Sequence, residues 1–245
     1  MRKRLILRGL EKRWESEERV FELVVGEVEI AAGEAWAVTG PNGCGKSTFL
    51  ELAGLATRPD VARRFVLETG EEFIDLDALW AFGHLDMLTA LRGRHFGYVL
   101  QTGALLPFLS VHDNIALGQR LAGRPNSARL QHLMDHLDLL PLAEAKPAQL
   151  SLGQRQRAAV ARALAHAPAF VLADEPTASL DPENAELVLR LMLELVEDQG
   201  AALVVVSHDD ILLNRLDLPR LPLTAASFPS VTKACWHTTI CPEAA

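Results

Sequence analysis

The sequence predicts an α/β fold with a mainly parallel core sheet, and two observations predict it. Short apolar runs at 35–39, 96–101, 169–173 and 201–206 are strand-sized and lack polar alternation, as in strands buried on both faces. Helix-favouring stretches separate several of them, the pattern of a sheet with helices packed on its faces. Composition bounds the rest. The chain has 245 residues, 49% of them apolar, enough for one large domain or two small ones with a sizeable core. Global disorder and collagen-like, coiled-coil and low-complexity classes are excluded. Mean hydropathy is +0.11, yet no apolar run approaches the ~18–20 residues of a spanning helix. The 24 basic and 32 acidic residues leave a formal charge of −8, which disfavours nucleic acid as a partner. Three cysteines, Cys44, Cys235 and Cys241, make no disulfide framework and point to a reducing compartment. The basic start at residues 2–4 precedes only three apolar residues before Arg8, too few for a signal-peptide core, so a cytoplasmic location is expected.

In chain order, the first strands are expected at 5–10, 20–30 and 35–39, separated by charged or glycine-containing breaks. A glycine-rich loop at 40–45 then opens a helix from Lys46 to about Leu55. Strand-like pieces follow at 64–68 and 72–75, then the strand at 96–101. Residues 112–148 favour helix and are interrupted at Gly123, Pro125 and Pro141. Beyond Ser151 come a helix at 154–167, a strand at 169–173, a helix at 182–198, a strand at 201–206 and a helix near 209–216. Residues 217–245 carry four prolines and lose this rhythm, so an irregular end with at most one strand near 220–223 is expected.

Gly40-Pro41-Asn42-Gly43-Cys44-Gly45-Lys46-Ser47 fits the pattern G-x-x-x-x-G-K-[ST], between an apolar strand and a helix as that pattern requires. Glycines let the backbone curl so that consecutive N–H groups face a phosphate, and the helix N-terminus adds favourable charge. Lys46 then reaches the β- and γ-phosphates, and the Ser47 hydroxyl is placed to ligate Mg²⁺. Downstream, Phe170-Val171-Leu172-Ala173-Asp174-Glu175 is an apolar strand ending in two carboxylates, where open α/β sheets bind ligands. Asp174 is expected to hold Mg²⁺ through water and Glu175 to polarise the attacking water. A solvated acidic turn before Pro176 is the alternative. His208 follows the next strand and is similarly placed to touch a γ-phosphate; a capping or packing role is its alternative.

Ser151 and Gln154, in Leu150-Ser151-Leu152-Gly153-Gln154, have the spacing of a capping box. A second exposed helix N-terminus is a second phosphate site, and one phosphate loop cannot use both.

Together these motifs resemble the nucleotide-binding subunit of an ATP-binding cassette (ABC) transporter, whose signature is Leu-Ser-Gly-Gly-Gln. The likeness covers residues 3–216 and adds Gln101 as Q-loop, Ser179-Leu180-Asp181 as D-loop and Trp14 at the adenine-stacking position. Strand-edge packing is the alternative for Trp14. The resemblance implies a P-loop NTPase with an N-terminal antiparallel β subdomain and a helical subdomain inserted at about 102–166. It implies ATP and Mg²⁺ as ligands, with nucleotide held by Trp14, residues 40–47 and Thr48. Two cassettes face head to tail, so that Ser151, Gly153, Gln154 and Asp181 meet nucleotide on the partner. Glu175, His208 and Gln101 carry catalysis; Ser47, Gln101 and Asp174 carry the metal. Leu152 replaces the first signature glycine; as the first helical residue it keeps ordinary φ, although its bulk hinders close approach. Cys44 is expected to be a thiol whose alkylation blocks ATP binding. Cys235, Cys241 and His237 match no zinc spacing.

The stretches 91–101 and 105–115 are most similar to lipoprotein-releasing, macrolide-exporting and cell-division cassettes. That implies a transmembrane permease as partner, a second copy as homodimer partner, and a peripheral position on the inner face of the cell membrane. The apolar segment 102–111 is expected to dock the permease, with core packing as its alternative. A soluble cassette ATPase or an ATP-gated scaffold are the competing functions.

Overall fold

The computed structural model describes residues 2–15, 20–227 and 231–236. The elements run β1 (Arg4–Glu15), β2 (Val20–Ala31), β3 (Ala35–Thr39), α1 (Lys46–Ala53), β4 (Arg64–Glu68), β5 (Phe73–Asp75), α2 (Leu76–Ala81), α3 (Leu85–His95) and β6 (Phe96–Val99). They continue α4 (Val111–Leu121), α5 (Ser127–His136), α6 (Leu152–Leu164), β7 (Phe170–Asp174), α7 (Pro182–Asp198), β8 (Ala202–Val206), α8 (Asp210–Arg215), β9 (Arg220–Ser227) and β10 (Val231–Trp236). Short 3₁₀ turns at Leu140–Leu142 and Pro147–Gln149 join α5 to α6. The chain divides into two compact units.

Among the described residues, the first unit holds 2–15, 20–32, 36–89, 219–227 and 231–236. β1 and β2 pair antiparallel from Arg4↔Ala31 to Glu15↔Val20, and β4 and β5 extend the sheet beyond β1. Leu5, Leu7, Leu10, Leu23, Val25, Ile30, Phe65 and Leu67 are fully buried on this sheet. Each such side chain contributes about 1.5–3 kcal/mol relative to exposure. The antiparallel β subdomain is therefore present.

Residues after 216 differ from expectation, because they form two strands rather than at most one. β9 runs parallel to β3, with Ala37↔Arg220 and Thr39↔Pro222, while β10 pairs antiparallel with β9 and parallel with β2. The prolines that suggested irregularity are tolerated: Pro219 precedes β9, and Pro222 stands at its last pair with β3, where a missing N–H costs little.

The second unit holds residues 33–35 and 90–218. Its parallel strands lie in the order β8-β7-β6, with Phe170↔Ala202 and Phe96↔Phe170 in register. Residues 33–34 join this sheet through Gly33 N–H to Ala201 O at 2.8 Å and Leu203 N–H to Glu34 O at 2.7 Å. β8 is buried at every position and β7 at all but Asp174, the burial that their unbroken apolar runs predict. α7 buries Ala185, Val188, Leu189, Met192, Leu195 and Val196, one stripe at helical spacing. α6 lies against β6 so closely that a Cβ on Gly97 would stand 2.2 Å from Ala163 O. Helices α2 and α3, by contrast, lie where no helix was expected. Asp75 caps α2 by accepting the Ala78 N–H at 3.0 Å, but α3 presents Leu85 and Met87 to solvent and so shows no apolar stripe.

Candidate nucleotide site

The phosphate loop belongs to the first unit and begins where β3 ends. Gly40 has φ +150°, and a Cβ there would lie 2.3 Å from Leu223 O, so the backbone passes where no side chain fits. Gly45 has φ +94° and is the N-cap of α1 without a side-chain cap, while no acidic residue occupies the first turn. The helix start thus keeps its positive end for an anion. Lys46 is 6% exposed, and its Nζ donates to Gly40 O at 2.9 Å and Pro41 O at 3.0 Å. The loop is wrapped around the ammonium, which holds it at the mouth of the curl. Asn42, Gly43 and Ser47 are exposed, and Thr48 is half-buried.

Cys44 departs from expectation. It is 1% exposed, and burial pushes its thiol up from the usual cysteine range against the opposing pull of Lys46. A protonated, covered thiol reacts slowly, so Cys44 is a packing residue behind the loop rather than a ready nucleophile. Cys241 and His237 lie outside the described residues.

Trp14, in the same unit, is 47% exposed, with Lys12 Nζ 4.8 Å from its ring centroid. The ring is thus half exposed at the sheet edge, with a lysine ammonium over one face.

The carboxylates belong to the second unit. Asp174 ends β7 half-buried, and Glu175 follows at φ +45°, a left-handed conformation that costs a non-glycine residue about 1–2 kcal/mol. Its N–H donates to Val206 O at 3.0 Å, which holds that turn against the end of β8. The bend aims the Glu175 carboxylate at His208, with Oε2 3.2 Å from Nδ1. A shallow pocket surrounds the pair, lined also by Thr177, Leu180, Ser207 and Asp209. His208 is not a cap, since α8 is capped by Asp209, which accepts the Leu212 N–H at 2.9 Å. Nor is it packed inside, being exposed. Neither alternative for His208 holds. Glu175 is equally not part of a solvated acidic turn, because its side chain is only 22% exposed.

The signature helix starts as the sequence predicts. Ser151 Oγ accepts the Gln154 N–H at 3.2 Å, and the Ser151 N–H donates to Gln154 Oε1 at 2.9 Å. Gln154 is thereby committed to shaping the helix start. Leu152 is the first helical residue and lies outside the left-handed region. Gly153 faces Asn184, whose Oδ1 would be 3.4 Å from an added Cβ. Asn184 in turn donates its N–H to Asp181 Oδ1 at 3.1 Å and its Nδ2 to Oδ2 at 2.7 Å. These bonds hold the Asp181 carboxyl below the usual range, the Asn184 side chain contributing most. Asn184 therefore links the signature and D-loop positions, a role no sequence pattern announces. Gln101 is exposed in a turn after β6. Within each unit the expected residues group in this way: Trp14 and the loop in one, Gln101, Ser151, Gly153, Gln154, Asp174, Glu175, Asp181 and His208 in the other.

The donor set suits a hard divalent cation. Ser47, Gln101 and Asp174 supply oxygen only, and among the described residues no group of three or more His, Cys, Asp or Glu is arranged to hold a metal. Oxygen donors of this kind, Ser47 in the first unit and Gln101 and Asp174 in the second, are those a hard divalent cation such as Mg²⁺ takes one or two at a time beside phosphate.

A P-loop fold with this loop, these carboxylates and this capped helix defines a cassette ATPase, and residues 26–178 match the ABC transporter family, to which the chain belongs. It is the ATP-binding, ATP-hydrolysing subunit of such a transporter. Among its relatives is the lipoprotein-releasing system ATP-binding protein LolD of Paramagnetospirillum magneticum, 42% identical over 193 residues that span 78% of this chain and 81% of the relative. The macrolide export ATP-binding/permease protein MacB 2 of Aeromonas hydrophila is 38% identical over 207 residues, 83% of this chain but 30% of that longer protein. Among solved structures, a dimeric bacterial ABC transporter cassette, MJ0796, superposes with a TM-score of 0.74 at 30% identity, covering 90% of this chain and 94% of that one. Its post-hydrolysis dimer bound to ADP and Pi gives 0.72 at 31% identity, covering 85% and 89%.

Proposed function

We propose that two copies of this chain close head to tail on two ATP molecules and thereby drive a transmembrane permease in the manner of a lipoprotein-releasing or macrolide-exporting system. Each copy offers its phosphate loop, residues 40–47 with Thr48, and Trp14 to one nucleotide. It offers Ser151 and Gly153 to the other, with Asp181 crossing the interface and Gln154 holding the helix start. The observation that carries the catalytic part is the Glu175–His208 pair at 3.2 Å, at the carboxyl ends of adjacent parallel strands.

Glu175 is the general base. Its carboxylate accepts a proton from the attacking water. His208 steadies that carboxylate through Nδ1 and turns to the γ-phosphate when nucleotide enters. Lys46 exchanges its two loop carbonyls for phosphate oxygens, a charge-assisted gain. Ser47, Gln101 and Asp174 would hold Mg²⁺, which when bound neutralises charge on the β- and γ-phosphates. The permease docks on 105–109, where Phe108 is 70% exposed rather than packed in the core, and the working position is the inner face of the membrane.

Supporting this reading are the family, the dimeric cassettes the chain superposes on, and relatives whose names state lipoprotein release and macrolide export. Light scattering of the Glu175→Gln variant tests the dimer. Twice the 26.8 kDa chain mass is expected with ATP and Mg²⁺ and the single mass with ADP. One mass under both conditions would refute nucleotide-gated closure.

A further inference from the structure

We propose that Arg162, on the signature helix, is a positioning residue for Gln101, acting by holding the carbonyls of the turn that carries it. The turn after β6 is unusual. Gly103 and Ala104 stand in succession at φ +69° and +44°, so two neighbouring residues adopt the left-handed region and their carbonyl oxygens converge. The Arg162 guanidinium meets both, donating from Nη2 to Gly103 O at 2.9 Å and from Nη1 to Ala104 O at 2.7 Å. Among the described residues these carbonyls are its hydrogen-bond partners, with no carboxylate paired to it. A charged group kept half-buried on carbonyls alone is costly unless its geometry is used. A planar fork offers each of two converging carbonyls its own nitrogen in a fixed plane, whereas a lysine ammonium would have to serve both from one freely rotating nitrogen.

Other contacts bind the same turn to the same helix. Gln156 Nε2 donates to Leu100 O at 3.3 Å, and Gly103 lies beside α6, where an added Cβ would touch Arg155 O at 3.4 Å and the Ala159 Cβ at 3.5 Å. The Gly103 N–H closes the turn on Leu100 O at 2.8 Å. Gln101 lies within this closed turn, between the carbonyl held by Gln156 and those held by Arg162. Its backbone direction is set from α6, whose first residues carry Ser151 and Gly153. A displacement of the signature helix therefore carries the Gln101 turn with it. Burial lowers the Arg162 pKa from the arginine value without discharging it, so the contact persists at working pH.

The inference rests on the catalytic role proposed for Gln101, and a kinetic cycle separates the two. ATPase kinetics of the full chain with Mg²⁺ and ATP are measured for Arg162→Lys, Gly103→Ala, Gln101→Ala and each of the first two combined with Gln101→Ala. Arg162→Lys is expected to lower kcat about tenfold while KM moves less than about twofold, because the loop that binds nucleotide is untouched. In the Gln101→Ala background the same change is expected to lower kcat no further, the mark of two residues acting as one unit. Gly103→Ala strains the same turn, because its φ of +69° disfavours a residue with a Cβ, while leaving Arg162 intact, and is expected to reproduce both results; if Arg162→Lys does not fold, it decides the matter alone. Multiplying losses in the double variants would overturn the positioning role and leave Gln101's role standing. A Gln101→Ala variant with unchanged kcat would overturn both.

Discussion

One substitution separates the cap that Ser151 makes from the phosphate contact proposed for it. Replacing it with alanine removes the bond from the Gln154 N–H to Oγ, 3.2 Å long, while the reciprocal bond from the Ser151 N–H to Gln154 Oε1 at 2.9 Å survives. The site is exposed, so the freed N–H finds water. Half a capping box lost at an exposed position costs about 0.5–1 kcal/mol, the lower part of the measured range for caps. For a chain of this size about 2–4 °C of Tm accompanies each kcal/mol, so a fall of roughly 1–4 °C is expected. If the hydroxyl also meets a phosphate across the dimer, its loss removes a hydrogen bond to a charged group, worth about 1.5–3 kcal/mol. At 1.4 kcal/mol per tenfold, ATPase should fall about 10- to 100-fold. Thermal melting and steady-state hydrolysis read the two duties independently, and Ser151→Thr should restore both. A variant with the small Tm loss but undiminished ATPase would refute the phosphate contact. A Tm loss well beyond the capping value would refute the structural half.

Three further outcomes follow from single observations. His166 is buried and donates from Nε2 to Phe96 O at 3.0 Å, and burial lowers its pKa to about 4. It is neutral in the fold while the unfolded chain takes a proton near pH 6.5, so its contribution is complete above that pH and lost progressively down to about 4. The linked loss is about 3 kcal/mol at most, and urea denaturation at pH 7 and pH 5 should show a steeper acid loss for the native chain than for His166→Gln. Equal losses would contradict a buried neutral imidazole. Gly97→Ala places a Cβ 2.2 Å from a backbone carbonyl that cannot rotate away, and denaturant unfolding should show about 1–3 kcal/mol of destabilisation. No destabilisation would mean that α6 does not rest on β6 as described. Cys44, covered and held protonated by its burial, should take up a thiol reagent far more slowly in the native chain than in the unfolded one when labelling is mapped by mass spectrometry. Rapid native labelling would contradict the packing behind the loop.

Much of the second unit was legible because its physics is local. Unbroken apolar runs mark β7 and β8 as buried strands, and Ser151 with Gln154 announces where α6 begins. The phosphate loop was legible for the same reason, since each glycine answers to a backbone demand within a few residues. What escaped depends on remote partners. β9 and β10 are strands because β3 and β2 offer them free edges almost 200 residues away, and four prolines disguised them locally. α3 escaped because its exposed Leu85 and Met87 erase the apolar stripe by which a helix is recognised. In the site, Cys44 was misjudged because its burial depends on packing that its neighbours in sequence do not reveal. Asn184 and Arg162 were missed because their partners, Asp181 apart, lie far along the chain. A lone asparagine on a helix or an arginine in an alanine-rich one carries no signal of its own.

Glu175, bent into the left-handed region and paired with His208, is proposed to take the proton from the attacking water. Single-turnover hydrolysis of ATP by the native chain and by Glu175→Gln tests it most directly, because the amide keeps the shape and removes the base. Loss of a general base predicts a rate lower by about 10²–10⁴-fold, with ATP binding retained. Hydrolysis by Glu175→Gln at the native rate would show that Glu175 is not the base.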